Sequence, residues 1–310
     1  MVGPRHRISP KLAEPLRDMS LTYELLDFGQ QRKLERFGKI VIDRPSPAAQ
    51  GPTQVDLQTW RDAVARYKRT AGTNGKWSPA DALPKTWKME FALPNHNLEP
   101  PYPEICFELR PSPFGHVGVF PEQATHWQWL AKQVAAARRP LKILNLFAYT
   151  GGSTLAAALA GAHVTHVDAA ANIVRRARRN AAISNLEDCS IRWVVEDAVK
   201  YCRRELKRGE QYDGVILDPP TYGHGPKGET WKITQHLPTL LDLCGKLTSR
   251  QPTLVLATCH SPSIGPAELA AYTADGIFGH CGQPPETGTL SLTSRDGRKL
   301  QSGVYARWPG

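Results

Sequence analysis

The chain has 310 residues, enough to bury a full core, and this length allows one large domain or, as expected here, a main domain with a smaller companion. It is 41% hydrophobic and 22% charged, and no uninterrupted apolar run reaches the roughly 18 residues of a membrane helix, so no span is predicted. The formal net charge of +10 would draw a polyanion through counterion release, which makes nucleic acid a candidate partner.

The first residues, Met1 to Ile8, are polar and lack the apolar core and cleavage site of a secretory signal, so a cytoplasmic location is expected. Residues 1–20 carry Pro4, Pro10 and Pro15 without apolar periodicity and predict a flexible arm. A small β-rich domain is expected over 21–115. Its opening runs, 23–29 and 33–45, are joined by a Gly-containing turn and predict a hairpin. A Pro-rich, Trp-punctuated stretch over 46–103 contains one helix, 56–69, and one strand, 87–92. Another strand is predicted over 104–110, then an extended, glycine-broken piece over 114–120 and a helix near 122–137.

From residue 141 strands (142–147, 164–168, 191–195, 214–217) alternate with helices (153–160, 170–184, 199–208). Such alternation with short turns specifies parallel β-α-β units, so residues 116–310 are expected to form an α/β domain. After a segment at 237–247 come a strand at 253–257, a helix at 266–274 and a closing pair, 288–293 and 301–307, which the turn Arg295-Asp-Gly-Arg298 makes a hairpin. The six cysteines (106, 189, 202, 244, 259, 281) include no Cys-x-x-Cys pair; free thiols are expected, and no metal site.

The chemistry-bearing residues cluster at the ends of the parallel strands. Asn145-Leu-Phe-Ala-Tyr-Thr-Gly-Gly152 runs from a strand into an Ala-rich helix, and its small residues let backbone amides approach a ligand or let the helix pack closely. Asp168 ends the second strand about twenty residues after the turn, where a ribose diol is bound in doubly wound folds. A dinucleotide enzyme shares that acid but usually shows Gly-x-Gly-x-x-Gly, which is missing here. Asp197 follows the third strand and Asp218 ends the fourth. All three should converge beyond the strands' carboxyl ends, although each alone is also a common helix cap.

These residues resemble the class I S-adenosylmethionine-dependent methyltransferases, and within them the bacterial branch related to 23S ribosomal RNA (cytosine-C5 or guanine) methyltransferases. The motifs Asn145 to Gly152, Val164 to Asp168, Glu196-Asp-Ala198 and Leu217-Asp-Pro-Pro-Thr-Tyr-Gly223 carry the similarity in order, over about residues 105–260. The resemblance implies a Rossmann-like, seven-stranded sheet ending in an antiparallel hairpin, with S-adenosyl-L-methionine as cofactor and ribosomal RNA as favoured partner. It assigns Asp168 to the ribose hydroxyls, Asp197 to the adenine amino group and the turn 147–152, with Phe147, Ala148, Tyr149, Thr150 and Gly151, to the methionine part, and it adds Asn145, Ala169, Ala198 and Asp218 to the cofactor-binding residues. Phe120 and Gln123, in a Phe-x-x-Gln element before the first motif, become cofactor neighbours. No counterpart of the relatives' separate RNA-binding domain is visible, and residues 46–103 match nothing.

Methyl transfer requires in-line placement, and Asp218, Pro219, Pro220 and Tyr222 suit that role, the prolines by stiffening the loop. Tyr222 either stacks on a displaced base or covers the cofactor. Lys227 is a candidate phosphate contact, and Trp231 a candidate core anchor for the loop. Cys259, followed by His260, stands where the cytosine-C5 branch has its nucleophile; it is either that thiol or a small residue after a strand. Arg175 to Arg179 and Arg203 to Arg208 are expected to flank the sheet away from its ligand edge. An RNA base methyltransferase, a methyltransferase for protein or small molecules, and a non-enzymatic binding module all remain open at this point.

Overall fold

The computed structural model describes residues 22–70, 74–93, 103–224, 230–279 and 285–309. The arm expected over 1–20, Lys227 and Cys281 lie outside the described residues. Strands β1 (Tyr23–Gly29), β2 (Arg32–Phe37) and β3 (Ile40–Pro45) form an antiparallel meander. The expected hairpin is therefore three strands, because the run over 33–45 breaks at Gly38, whose φ of 60° is a left-handed turn conformation open to glycine. The helix expected over 56–69 is also corrected. Asp56 caps only a five-residue helix, α1 (Leu57–Arg61), by accepting the Thr59 amide, and the chain then continues as β4 (Ala65–Arg69). Ala65 and Tyr67 are buried with Arg66 exposed between them, a period of two. β4 joins β3 to β5 (Gly75–Ser78) and completes a five-stranded sheet.

The expected strands β6 (Trp87–Ala92) and β7 (Glu104–Leu109) pair antiparallel. Segment 114–120 contains no strand: Gly115 and Gly118 turn it at φ 81° and 111°. A 3-10 turn, Pro121–Gln123, leads into α2 (Ala124–Ala136). Beyond it come β8 (Lys142–Leu146), α3 (Gly152–Leu159), β9 (His163–Asp168), α4 (Ala171–Ile183), β10 (Ile191–Val195), α5 (Ala198–Lys207) and β11 (Gly214–Leu217). A small pair, β12 (Tyr222–His224) and β13 (Thr230–Lys232), precedes α6 (Ile233–Leu247), β14 (Leu254–Cys259), α7 (Pro266–Thr273), β15 (Glu286–Thr293) and β16 (Lys299–Trp308).

The large sheet has the order β10-β9-β8-β11-β14-β16-β15. It is parallel from β10 to β14, while β16 is antiparallel to β14 and β15, the expected terminal hairpin. One face packs Val215 and Leu217 against Leu240 and Leu241 of α6; the other packs Ile143, Ile216 and Leu256 against Leu130 of α2. The β6–β7 pair is sewn to α4, where Asn180 accepts the Glu108 amide and Ser184 the Cys106 amide, each at 2.9 Å. Connections leave β8 and β11 in opposite directions along the sheet, which opens a crevice at their carboxyl ends. No helix among the described residues is long and apolar enough to cross a membrane.

Candidate functional site

The turn after β8 is held in shape by specific hydrogen bonds. Phe147 and Tyr149 adopt left-handed φ of 55° and 49°, a costly conformation for residues with side chains unless their surroundings impose it. The Ala148 amide donates to the Val167 carbonyl at 3.1 Å and the Tyr149 amide to Asp168 Oδ2 at 3.0 Å. The Thr150 hydroxyl donates to the Gly118 carbonyl at 2.6 Å. At Gly152 an added Cβ would stand 2.4 Å from the Trp127 ring, so this glycine serves the packing of α3 on α2.

Three carboxylates end the successive strands. Asp168 accepts amides on both oxygens, from Tyr149 and from Ala170 at 2.9 Å, yet burial prevails and raises its pKa. Asp197 is the N-cap of α5, with Oδ1 accepting the Lys200 amide at 2.9 Å. Asp218 is held from three sides: Oδ1 accepts the Thr258 hydroxyl at 2.6 Å and lies 3.4 Å from His260 Nε2, while Oδ2 accepts the Gln123 side-chain amide at 3.1 Å. Burial raises the Asp218 pKa, but the charge and hydrogen bond of His260 and the Thr258 hydroxyl outweigh it and hold the group below its ordinary value. Burial likewise disfavours charge on His260, but Asp218, Glu122 and the Ser302 carbonyl, 2.7 Å from Nδ1, raise its pKa to about 9. His260 is thus an imidazolium at neutral pH. Across the cleft, desolvation and then the charges of Arg44, Lys33 and Arg69 lower His116 to about 4, leaving it neutral.

These groups line a cleft of about 690 Å³. Of the residues expected from sequence, Phe120, Phe147, Tyr149, Asp168, Ala169, Asp197, Asp218, Pro219 and Pro220 line it. Gln123, Asn145, Ala148 and Thr150 line a narrow inner pocket of about 40 Å³ that shares Phe120, Phe147, Tyr149 and Asp218 with the cleft. Asn145 is engaged within the fold, donating to the Thr154 hydroxyl at 2.8 Å. Gly151 and Ala198 line neither space; Gly151 caps α3 and Ala198 is buried at the start of α5. Trp231 is the loop anchor expected of it: its Nε1 donates to the Pro220 carbonyl at 2.7 Å and its ring packs 4.9 Å from that of Phe147.

Tyr222 and Cys259 do not line the cleft. Tyr222 is 53% exposed and borders a neighbouring groove. Cys259 is 1% exposed. Alternation along β14 turns Thr258 toward Asp218 and the next side chain, Cys259, into the core on the other face. Burial raises the thiol pKa, and the ring nitrogens of His260 face Asp218 and Ser302, so the expected activation of Cys259 by His260 is corrected. The arginine runs also divide. Arg204 and Arg208 pair with the buried Glu205, and Arg204 also with Glu196, whereas Arg175, Arg176 and Arg179 line the groove bordered by Tyr222. The reason is that α4 starts at the carboxyl end of β9, so its first turns flank the ligand edge. Sequence reasoning missed Thr258 and His116. Thr258 carried a signal in its place at the end of a buried strand beside the β11 acid; His116 carried none.

A family model described as S-adenosylmethionine-dependent methyltransferase matches residues 105–279. The chain is 36% identical to a SAM-dependent methyltransferase from Agrobacterium tumefaciens of known crystal structure, with a TM-score of 0.81 over 92% of this chain and 89% of that one. It is 33% identical over 110 residues, 35% of this chain, to ribosomal RNA large subunit methyltransferase I of Aeromonas salmonicida. It is 34% identical over 118 residues, 37% of this chain, to ribosomal RNA large subunit methyltransferase K/L of Shewanella oneidensis. The matched stretches span 27% and 16% of those two relatives.

Proposed function

Because this chain belongs to the family of S-adenosylmethionine-dependent methyltransferases, we propose that it is a cytoplasmic enzyme that methylates a base of ribosomal RNA. The observation that carries the reading is the convergence of Asp168, Asp197 and Asp218, from the ends of three strands, on one cleft. The residues fit the cofactor. Asp168, fixed by two amides, suits a ribose diol; Asp197 keeps Oδ2 for an adenine amino group while Oδ1 caps α5; Phe147 and Tyr149 present the turn to the methionine part. S-adenosylmethionine supplies an electrophilic methyl group on a sulfonium.

The chain's own contribution is position and charge. Asp218 is kept ionised and immobile by Gln123, Thr258 and His260, so a carboxylate–imidazolium pair is set in the cleft wall without reorganisation during reaction. Pro219 and Pro220 stiffen the rim, and Trp231 ties down the Pro220 carbonyl. With the Cys259 thiol buried, the reading favours an acceptor that is nucleophilic by itself, a base nitrogen, over the pyrimidine carbon that needs covalent activation. It also divides the chain near residue 115 into a β-rich front part and a methyltransferase part, which the five-stranded sheet of β1 to β5 supports.

Ribosomal RNA as substrate is supported by the names of the relatives and by the net charge of +10. The test is incubation with radiolabelled cofactor and, separately, undermethylated ribosomal RNA, intact subunits and a protein extract. Label is expected in RNA; label confined to protein would overturn the reading.

A further inference from the structure

We propose that the groove bordered by Tyr222 is the track for a single-stranded segment of the RNA substrate and delivers the target base into the cofactor cleft. This rests on the RNA methyltransferase reading and adds to it the binding surface and the form of RNA bound. The groove encloses about 1260 Å³ and shares His116, Tyr149 and Gly223 with the cleft, so the two spaces adjoin.

Its walls come from separate parts of the chain: Arg69 ends β4, Arg110 follows β7, and Arg175, Arg176 and Arg179 lie on α4. Against these five arginines stands one carboxylate, Glu108, which Arg110 and Arg179 approach at 2.8 and 3.7 Å. Arg69 and Arg175 line the groove, are exposed and make no ion pair with any described residue, so their charge is uncompensated within the described structure. Two large rings stand exposed in the same walls, Phe114 at 56% and Tyr222 at 53%.

Arginines that follow a backbone, combined with exposed aromatic faces, are what single strands require: phosphates pair with the cations and unpaired bases stack on the rings. A duplex keeps its base faces covered, and its target base must leave the stack before chemistry. An acidic protein segment would engage the arginines but gain nothing by stacking on the exposed face of Phe114.

The test is fluorescence anisotropy at several salt concentrations, using a labelled single-stranded RNA of about twelve nucleotides, the same sequence as a duplex, and polyglutamate. Wild type is expected to prefer the single strand by about tenfold or more. The double variant R69E/R175E should lose about tenfold or more in affinity, and its salt slope should fall by roughly 0.7 for each phosphate contact removed. Phe114→Ala should lose about tenfold with the salt slope unchanged. Both variants alter exposed side chains, and calorimetry with S-adenosylhomocysteine should give wild-type affinity, which confirms the fold. If wild type binds and methylates RNA while both variants bind it equally well, the groove assignment is overturned and the methyltransferase reading stands. Polyglutamate competing as well as RNA would also overturn the assignment. Failure of wild type both to bind RNA and to label it would overturn both.

Discussion

At the scale of single residues, Asp218 and His260 hold each other in the charged state. A histidine near 6.5 when unfolded and about 9 when folded binds its proton more tightly in the native protein. Its contribution to stability is therefore complete below the unfolded value and is lost as the pH rises through the folded one. Wild type should be more stable than His260→Gln by a constant margin near pH 6, and that margin should shrink between pH 7 and 9 in urea titrations. A margin that widens with pH would contradict the pairing. Cys259→Ala, by contrast, should leave methyl transfer intact and cost only about 1 kcal/mol of stability through lost core packing; loss of turnover would return the thiol to the mechanism. Asp168→Ala removes a carboxylate that both braces the left-handed Tyr149 and faces the cleft. Calorimetry should show S-adenosylhomocysteine binding weakened by roughly tenfold or more, the magnitude of a charge-assisted hydrogen bond.

Among the elements, α5 is tied to β10 and to its own last turn through Glu205, whose fully buried carboxylate lies 3.2 Å from Arg192, 3.2 Å from Arg204 and 3.1 Å from Arg208. The arginines keep about half their side-chain surface in water, so Glu205→Ala should cost about 2 kcal/mol in chemical denaturation, less than breaking a fully buried pair. The parallel α/β units were legible because each is written locally: an apolar strand, a turn, then a helix periodicity, as in β8 to α3. The front part was less legible because its elements depend on pairing. Residues 57–69 look helical through Asp56 and Trp60, but helix propensity loses to the sheet once Ala65 and Tyr67 are buried between β3 and β5. The acids of the site were legible because strand ends announce themselves. Of what surrounds them only Gln123 was reached, through the resemblance; its contact with Asp218 and those of Thr258 and His260 join segments far apart in sequence, and which face of β14 carries Thr258 rather than Cys259 depends on register.

For the whole molecule, the decisive contact joins the two ends of the described chain. Asp27, wholly buried in β1, accepts the Trp60 indole N–H at 3.0 Å, the amides of Gln54 and Val55 at 2.9 and 3.1 Å, and Arg298 Nη2 from the terminal hairpin at 2.5 Å. Arg298 also donates to the Phe28 carbonyl at 3.0 Å and lies 4.3 Å over the Phe28 ring, while Leu25 and Phe28 pack on Leu292 and Leu300. This docking fixes the five-stranded sheet, and with it Arg69 of the groove wall, against the methyltransferase sheet. Arg298→Ala leaves the Asp27 carboxylate buried without its cation, at a cost of about 3 kcal/mol. Because the cofactor cleft draws no wall from β1 to β5, S-adenosylhomocysteine affinity should persist in this variant. Amide exchange should quicken selectively in β1 to β3, and transfer to the proposed RNA substrate should fall, because the groove loses the fixed position of one wall while the cofactor site keeps its own. Exchange that rises evenly across both sheets, or cofactor binding lost in parallel, would show instead that the two sheets unfold as one unit and that Arg298 stabilises the whole rather than the docking.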